Sequence, residues 1–388
     1  MSSRRVWIAI IGGLTLFTLI FGWGVNKYLV EERIAIASER LLLLSNLRRE
    51  ALQRYFSTAE AELRFWSSNK VLIDQQIWIN DAWNAAVDEG RDPEQRLKLF
   101  YVENNPYPPG QRREFNTAED GSGYTALHAK LHPLAKAFVV ERGYYDFFLI
   151  SPTGDVHYSV EKEDDYATNL YTGEYKDTGL AQVFKRALKY ARTDDVAISD
   201  MQAYAPSSGA PAIFMAKAMY GEAGQLAGVI ALQLPTSRIV DIMNFDVGMR
   251  ETGETYLVGG DLLMRSNSRF VEESTILKMQ VDTPTVQRAL LGEYGVEFAN
   301  DYRGVEVLSA YSSITIDELT WAVMAEIDKA EVLIPESNAN TLLGALMLLF
   351  YSLSIWSAWY IRRSDADADS GSLLADLDLD GGMDMTDS

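Results

Sequence analysis

One order of secondary-structure elements occurs twice in this sequence, and this duplication constrains the fold more than any other feature. Residues 146–160 alternate apolar and polar side chains around a Pro-Thr-Gly-Asp turn, a pattern that predicts a β-hairpin. Residues 178–192 place apolar side chains at helical spacing, and three strands separated by turn residues follow in 195–234. The same hairpin, helix and three strands recur in 254–328.

The duplication predicts two similar α+β modules, each built on an antiparallel sheet. Solenoid repeats span roughly 20–50 residues, and these copies are longer, so each is expected to be a domain-sized unit. We place the first module at 70–240 and the second at 241–335, with a linking helix in 235–245. The segment MRSNSR, residues 264–269, is expected to make a structural contact rather than a binding edge.

A long helix is predicted ahead of the modules. No Gly or Pro occurs between Asn26 and Asn69, and apolar residues recur there at helical spacing with Arg and Glu between them. A stalk helix over 26–69 would continue the preceding apolar run without a break. It could pack on its own domain, and it could also pair with a second copy in a homodimer; the two arrangements are compatible.

Uncharged apolar runs lie near both ends, at 6–25 and 341–361. Each is long enough to cross a hydrocarbon core of roughly 30 Å as a helix, and both have aromatic residues near their ends. A cleaved signal peptide is the alternative for the first run. Its only small-x-small site, Ala35-Ile36-Ala37, lies beyond charged residues, which favours a retained transmembrane helix.

Basic residues predict the orientation of both runs. Arg4 and Arg5 precede the first, within the predicted cytoplasmic segment 1–5, and Arg362 and Arg363 follow the second. Residues 26–340 are therefore expected outside the bacterial cytoplasmic membrane, in the periplasm. The tail, 362–388, carries eight Asp and is expected to be a disordered cytoplasmic segment.

Composition excludes several classes of function. The net charge of −20 argues against nucleic acid as a partner, and the absence of Cys rules out disulfides and thiolate metal sites. Asp376–Asp387 has an EF-hand-like spacing of acids, but a disordered tail is the favoured interpretation. His128 and His132 have the i, i+4 spacing of zinc ligands without a third ligand, so a surface pair is expected. With no catalytic motif in the sequence, neither enzyme activity nor a metal or other cofactor is predicted.

The amino-acid sequences of three segments resemble one branch of the double Cache sensor domains of bacterial chemoreceptors, sensor kinases and cyclases. The segments are 143–173, 204–219 and 250–270. The resemblance covers about residues 30–335. It implies two PAS-like Cache modules on a long N-terminal helix, flanked by two transmembrane helices. It also implies binding of a small molecule in the membrane-distal module and transmission of a signal along helices.

The amino-acid-binding branch of that family clamps its ligand with Tyr, Arg, Trp-Tyr, a further Tyr and a late Asp. Here residues 167–175 read ATNLYTGEY where the Arg-x-Trp-Tyr element is expected, and the late Asp position is Gln233. Only Tyr204 matches. An α-amino acid held in the usual way is therefore not expected.

Candidate ligand-binding residues are the polar groups on or near the sheet of the first module. Packing tyrosines and a solvated charge run are the alternatives for individual members. The candidates are Tyr158, Lys162, Asn169, Tyr171, Asp200, Tyr204 and Lys217.

The sequence thus predicts a two-pass membrane sensor that binds a small extracytoplasmic ligand, with chemotaxis-type signal transduction as the implied role. Since the 27 residues after the second apolar run, eight of them Asp, are too few and too polar for a catalytic domain, the signal is expected to pass to a separate cytoplasmic or membrane protein. The alternative is a membrane-tethered non-sensory scaffold, or an accessory subunit of an envelope complex.

Overall fold

The computed structural model describes residues 3–190, 193–244, 248–334, 344–360 and 362–363. The chain divides into two compact units, one of Met1–Ala37 with Ala330–Ser388 and the other of Ser38–Lys329. Both duplicated modules lie in the second unit. The predicted tail lies outside the described residues, apart from 362–363.

The first helix, α1, runs from Ser3 to Ser67 and includes both the first apolar run and the predicted stalk. Within Ser38–Ser67 it buries one apolar stripe at spacings of three to four residues, including Leu52, Phe56 and Leu63. This stripe joins a core cluster that contains residues of both modules, so this part of the stalk packs on its own domain. Among the described residues, no helix has both the length and the apolar character needed to cross a membrane.

Helices precede the first sheet in a region where the sequence analysis assigned no elements. α4 begins after Ser122, whose hydroxyl accepts from the Thr125 amide, and ends at Gly143, whose φ of 72° closes the helix in the left-handed conformation. These helices are α2 (Lys70–Asp88), α3 (Pro93–Lys98) and α4 (Gly123–Arg142), with a π turn at Leu99–Glu103 and a 3-10 turn at Arg112–Glu114.

The first module has the predicted hairpin, helix and strands, in an antiparallel sheet of order β2-β1-β6-β5-β3 with β4 paired to β5. The strand predicted in 195–204 is divided at residues 199–201 into two short strands. The elements are β1 (Asp146–Ile150), β2 (Val156–Ser159), α5 (Gly179–Tyr190), β3 (Ala197–Ile198), β4 (Gln202–Tyr204), β5 (Ala210–Tyr220) and β6 (Leu226–Leu234).

The second module follows the linking helix α6 and has the sheet order β7-β10-β9-β8. Its hairpin differs from the prediction: the second arm makes only isolated bridges, Val258 with Met264 and Leu263 with Gln280. Leu262, at φ 64°, turns the chain there. The elements are α6 (Thr236–Met243), β7 (Glu254–Val258), α7 (Pro284–Leu290), β8 (Gly295–Asn300), β9 (Glu306–Ile316) and β10 (Leu319–Asp328). After them the chain forms α8 (Lys329–Leu333) and a helix at 344–360.

The two sheets share one pattern of strand pairing, as expected for modules with the same architecture. In each, the first strand pairs antiparallel with the last, which pairs with the one before it. Asp146 lies opposite Gln233 in the first sheet, and Glu254 lies opposite Glu326 in the second. Asp146 and Glu254 are therefore equivalent positions, and so are Gln233 and Glu326.

Candidate ligand-binding site

The structure does not gather the seven predicted site residues into one pocket. They lie at five places on the first module, and four of those places have an evident structural role. Tyr204 belongs to a group of polar side chains in which two carboxyl or amide oxygens are buried without a hydrogen-bond partner.

Tyr158 and Lys162 face α4. His132 Nε2 lies 2.8 Å from the Arg113 carbonyl and donates to it, so its Nδ1 accepts from the Tyr158 hydroxyl at 2.7 Å. Lys162 Nζ lies 3.2 Å from His132 Nε2 and 3.2 Å from the Val160 carbonyl oxygen. Burial lowers the pKa of Lys162 to about 7 and that of His132 to about 3, because both charged forms lose solvation.

The expectation of a surface histidine pair is wrong. His128 and His132 are both buried, with their rings stacked at 4.6 Å between centroids. The reason is that α4 turns this face toward the sheet, where Tyr158 contacts both rings. His128 donates from Nδ1 to the Asn116 carbonyl at 2.7 Å, so the pair packs α4 against the neighbouring loop.

Asn169 and Tyr171 support the turn between β1 and β2. The Asn169 amide donates to Asp155 Oδ1 at 2.8 Å, and its oxygen accepts from the Tyr171 amide. Tyr171 is exposed and packs edge-on against Phe184 of α5. Lys217, on β5, donates to the carbonyls of Thr193 and Asp195 at 2.9 and 3.3 Å, and so holds the loop before β3.

Asp200 connects the two modules. Its carboxylate accepts from Arg265 through Nε at 2.9 Å and Nη2 at 2.7 Å, and from the Trp321 indole at 2.9 Å. Arg265 and Trp321 belong to the second module, and both are only 1% exposed. The prediction that residues 264–269 make a structural contact agrees with this pairing.

Tyr204 lies at the end of β4 and donates to Asp165 Oδ2 at 2.5 Å. Both side chains are buried, and the Tyr204 ring packs on Phe214 at 4.7 Å between centroids. Asp165 follows β2 in the charged stretch EKEDD, for which a solvated charge run was the alternative to ligand binding. The fold instead turns this Asp inward, and no pattern in the sequence separates it from its neighbours.

A second chain of hydrogen bonds lies in the same group and fixes the orientation of Gln233. The Ser207 hydroxyl donates to Glu163 Oε2 at 2.6 Å, so its oxygen accepts from Gln233 Nε2 at 3.1 Å. Tyr145 donates to the other oxygen of Glu163 at 2.6 Å. The side-chain oxygen of Gln233 must therefore point away from Ser207. We call Tyr145, Glu163, Asp165, Tyr204, Ser207 and Gln233 the acceptor cluster.

Two oxygens of the acceptor cluster have no partner. Asp165 Oδ1 and Gln233 Oε1 are buried and accept no hydrogen bond within the described structure. Buried polar atoms without partners are rare in native proteins and costly. Burial, with Glu163 and Asp164 nearby, raises the pKa of Asp165 to about 7 although the Tyr204 hydrogen bond opposes the shift.

The equivalent region of the second module is closed. Glu326 accepts from Tyr256 and Ser309 through its two oxygens, and Glu254 accepts from Tyr302, which is itself bonded to Ser268. Asp301 also lies close enough for the three acids to hold a metal ion. Its two oxygens already accept from Arg303, however, so a metal would have to displace existing bonds in this region.

The larger open groove lies elsewhere, between α1 and α4. It has a volume of about 780 Å³, and Trp66 and Phe138 form its apolar wall. A neighbouring groove of about 410 Å³ is lined by Tyr55, Glu62 and Arg238 among others. Neither includes a residue of the acceptor cluster.

No family model and no curated protein matches this sequence. Solved structures do match. The ligand-binding domain of the Pseudomonas aeruginosa amino acid chemoreceptor PctC, in complex with GABA, is 11% identical over 75% of this chain and 99% of its own, with a TM-score of 0.41. That of the Campylobacter jejuni chemoreceptor Tlp3, with 4-methylisoleucine, is 15% identical over 79% and 94%, with a TM-score of 0.44.

The domain of the P. aeruginosa chemoreceptor PctB, in complex with L-Gln, is 15% identical over 79% of this chain and 98% of its own, with a TM-score of 0.40. These structures are ligand-binding domains of bacterial chemoreceptors, which are double Cache sensor domains. This chain is similar to these domains over three quarters or more of its length. At such low identity and TM-scores, what those proteins bind does not establish what this chain binds.

Proposed function

We propose that this protein is a two-pass membrane sensor that binds a small extracytoplasmic ligand at the acceptor cluster of its first module. It would have no catalytic activity and would pass its signal to a separate cytoplasmic or membrane protein. The uncharged runs at 6–25 and 341–361, with Arg on their outer flanks, support anchoring by both ends. The long helix α1 offers a surface on which two copies could pair.

The observation that carries this proposal is the contrast between the two modules at equivalent positions. Glu326, in the second module, has both side-chain oxygens paired, whereas the equivalent Gln233 leaves Oε1 unpaired. Asp165 adds a second unpaired oxygen to the first module. A ligand that supplied donors there would satisfy groups that the fold leaves unsatisfied, so its binding would be favoured.

A route from this site to the second module follows the chain. Tyr204 is the last residue of β4, and Asp200 lies just ahead of this strand, bonded to Arg265 and Trp321. Trp321 in turn packs edge-on against Phe56 of α1 at 5.9 Å between ring centroids. A ligand that favours one position of Tyr204 would therefore bias β4, and with it the contacts that reach the second module and α1.

The test is ligand-dependent thermal stabilisation of the full-length chain in detergent micelles, screened against small metabolites. A ligand at 100 times its dissociation constant stabilises a fold by about 2.7 kcal/mol, which raises the midpoint measurably. Tyr204→Phe, which removes one hydroxyl from the cluster, should reduce the stabilisation. Tyr256→Phe is the matched control, because it removes the corresponding hydroxyl bond to Glu326 in the second module.

Loss of stabilisation in the Tyr256→Phe variant alone would place the site in the second module. Absence of any stabilising ligand across a broad screen would contradict the sensor function and leave the non-sensory scaffold as the better account. Equal losses in both variants would show that the hydroxyls act through folding rather than through a ligand.

A further inference from the structure

The unpaired atoms of the acceptor cluster are all hydrogen-bond acceptors. All three of its hydroxyls already donate to carboxylates: Tyr145 and Ser207 to Glu163, and Tyr204 to Asp165. The Gln233 amide group donates to Ser207. The atoms left free, Asp165 Oδ1 and Gln233 Oε1, are both acceptors when Asp165 is ionised. A molecule bound there must bring the donors.

Cations of the protein do not reach the free oxygens. Lys162 follows in the same loop, but its Nζ lies beside His132 on the opposite, α4, side. Arg113 pairs with Glu161 at 3.0 Å and Arg112 lies 3.7 Å from Asp164. Within the described structure, no Lys, Arg or His bonds to a side chain of the acceptor cluster. A ligand carboxylate would therefore meet acceptors without a compensating charge, which is unfavourable in a buried site.

Apolar surface adjoins the acceptor cluster on the same face of the sheet. Phe148 and Phe214 lie there with their ring centroids 6.2 Å apart, and Ala231 lies between them on β6. Tyr204 packs on Phe214, so the polar and apolar parts are in direct contact. This surface suits a ligand with one charged end and an apolar body.

We propose that the acceptor cluster binds an organic ammonium that carries no carboxylate, a primary amine on an apolar body, whose N–H groups donate to Asp165 Oδ1 and Gln233 Oε1. The inference rests on the proposed function and names its ligand class. Tyr145 and Glu163 are half-buried, whereas the two free oxygens are buried, so binding of the amine requires a local opening of the fold at the cluster.

The charge on Asp165 gives the inference a distinct pH signature. The groups that act on it are Tyr204, Glu163 and Asp164, with Asp146 also nearby, and none is cationic. An ammonium prefers the ionised carboxylate, so its affinity should rise as pH increases through about 7. A carboxylate ligand would need protonated Asp165 as a donor, and its affinity should fall over the same range.

The experiment is isothermal titration calorimetry of the full-length chain in detergent micelles with matched probes that differ only by a carboxylate. The pairs are 2-phenylethylamine with phenylalanine, isopentylamine with leucine, and cadaverine with lysine. We expect at least one amine to bind about tenfold or more tightly than its amino acid. The ammonium makes charge-assisted hydrogen bonds in both, but only the amino acid also brings a carboxylate that the acceptors disfavour. Affinity for that amine should be higher at about pH 8 than at about pH 6.

Asp165→Asn should reduce amine affinity about tenfold or more while the apo midpoint stays within a few degrees, because a neutral amide is less costly to bury than a carboxylate. Gln233→Met provides a second variant if Asp165→Asn fails to fold. Glu326→Gln, a buried acid of the second module, is the control and should leave amine affinity unchanged.

Tighter binding of the amino acids, or amine affinity that falls with rising pH, would overturn the ligand class while leaving a ligand-binding site in place. Stabilisation by other metabolites without any amine binding would overturn it in the same way. If neither these probes nor the broad metabolite screen gives binding, the proposed sensor function fails together with the inference.

Discussion

The link between Asp200 and Arg265 should be a major source of cohesion between the two modules. Arg265 is 1% exposed, and Asp200 supplies two of its hydrogen bonds, while the same carboxylate accepts from the Trp321 indole. We predict that Asp200→Ala destabilises the chain strongly. The variant leaves the guanidinium and the indole N–H without these acceptors in a largely buried position.

The magnitude follows from the geometry. Breaking a fully buried ion pair costs about 3–5 kcal/mol, but the Asp200 side chain is 33% exposed, and Asp261 still lies 2.8 Å from Arg265. Water and Asp261 therefore compensate in part. We expect a loss of about 2–4 kcal/mol in the free energy of unfolding, with the unpaired indole N–H included. Asp200→Asn keeps a side-chain oxygen and should cost about half as much.

The assay is thermal unfolding of the full-length chain, followed by intrinsic tryptophan fluorescence. A loss of this size corresponds to a midpoint decrease of about 5–10 °C for a domain of this size class. Asp261→Ala is the matched control: it removes the other carboxylate from Arg265, but that side chain is 49% exposed, so less than about 1 kcal/mol is expected. If Asp261→Ala costs as much as Asp200→Ala, the reasoning from burial is refuted.

Other predictions concern pH and topology. Burial raises the pKa of Glu326 to about 7, so its contribution to stability is present at low pH and lost as pH rises from about 4 to 7; Glu326→Gln should flatten this decline in thermal midpoint. Lys162, whose pKa is lowered to about 7, should make the chain gain stability from about pH 7 to 10, and Lys162→Met should abolish that gain. In a chain that has no natural Cys, Glu119→Cys should react with a membrane-impermeant maleimide in intact cells, and Ser388→Cys should not. The reverse labelling pattern would contradict the proposed orientation.

Local signals in the sequence were enough for α1, α5 and most strands of the two sheets, but not for the helices between residues 70 and 142. Period-two alternation and Gly-rich turns located the first hairpin, and helical spacing located α5, because these patterns report which face of one element is buried. The repeated order of elements then implied two similar sheets, and the registers bear this out. The second arm of the hairpin at 254–264 was the exception, since Arg265 leaves the strand direction to reach Asp200 in the other module.

The candidate ligand-binding site was harder to predict, because contacts between distant segments decide which residues belong to it. Lys162 and Asp165 stand in one charged stretch, yet the chain sends Lys162 toward His132 and Asp165 toward Tyr204. Asp200 is a polar residue near the same sheet, and only the position of Arg265 shows that it is a link between modules. Side-chain chemistry identified candidates, and the direction of each side chain decided among them.

Duplication offers a physical reason why the first module, rather than the second, would bind the proposed ligand. At the last strand, Gln233 stands where the second copy has Glu326, and the exchange removes one acidic side chain opposite Asp146. In the second module, the hydroxyls of Tyr256 and Ser309 pair both oxygens of Glu326, so a ligand would gain no free acceptor at that position. In the first module, the Gln233 side-chain nitrogen donates to Ser207, and its side-chain oxygen has no partner. Glu326→Gln would introduce the same amide, but at a position where Tyr256 and Ser309 already bond to the side chain. It should therefore create no amine site, and amine binding gained by that variant would show that the free oxygen alone suffices.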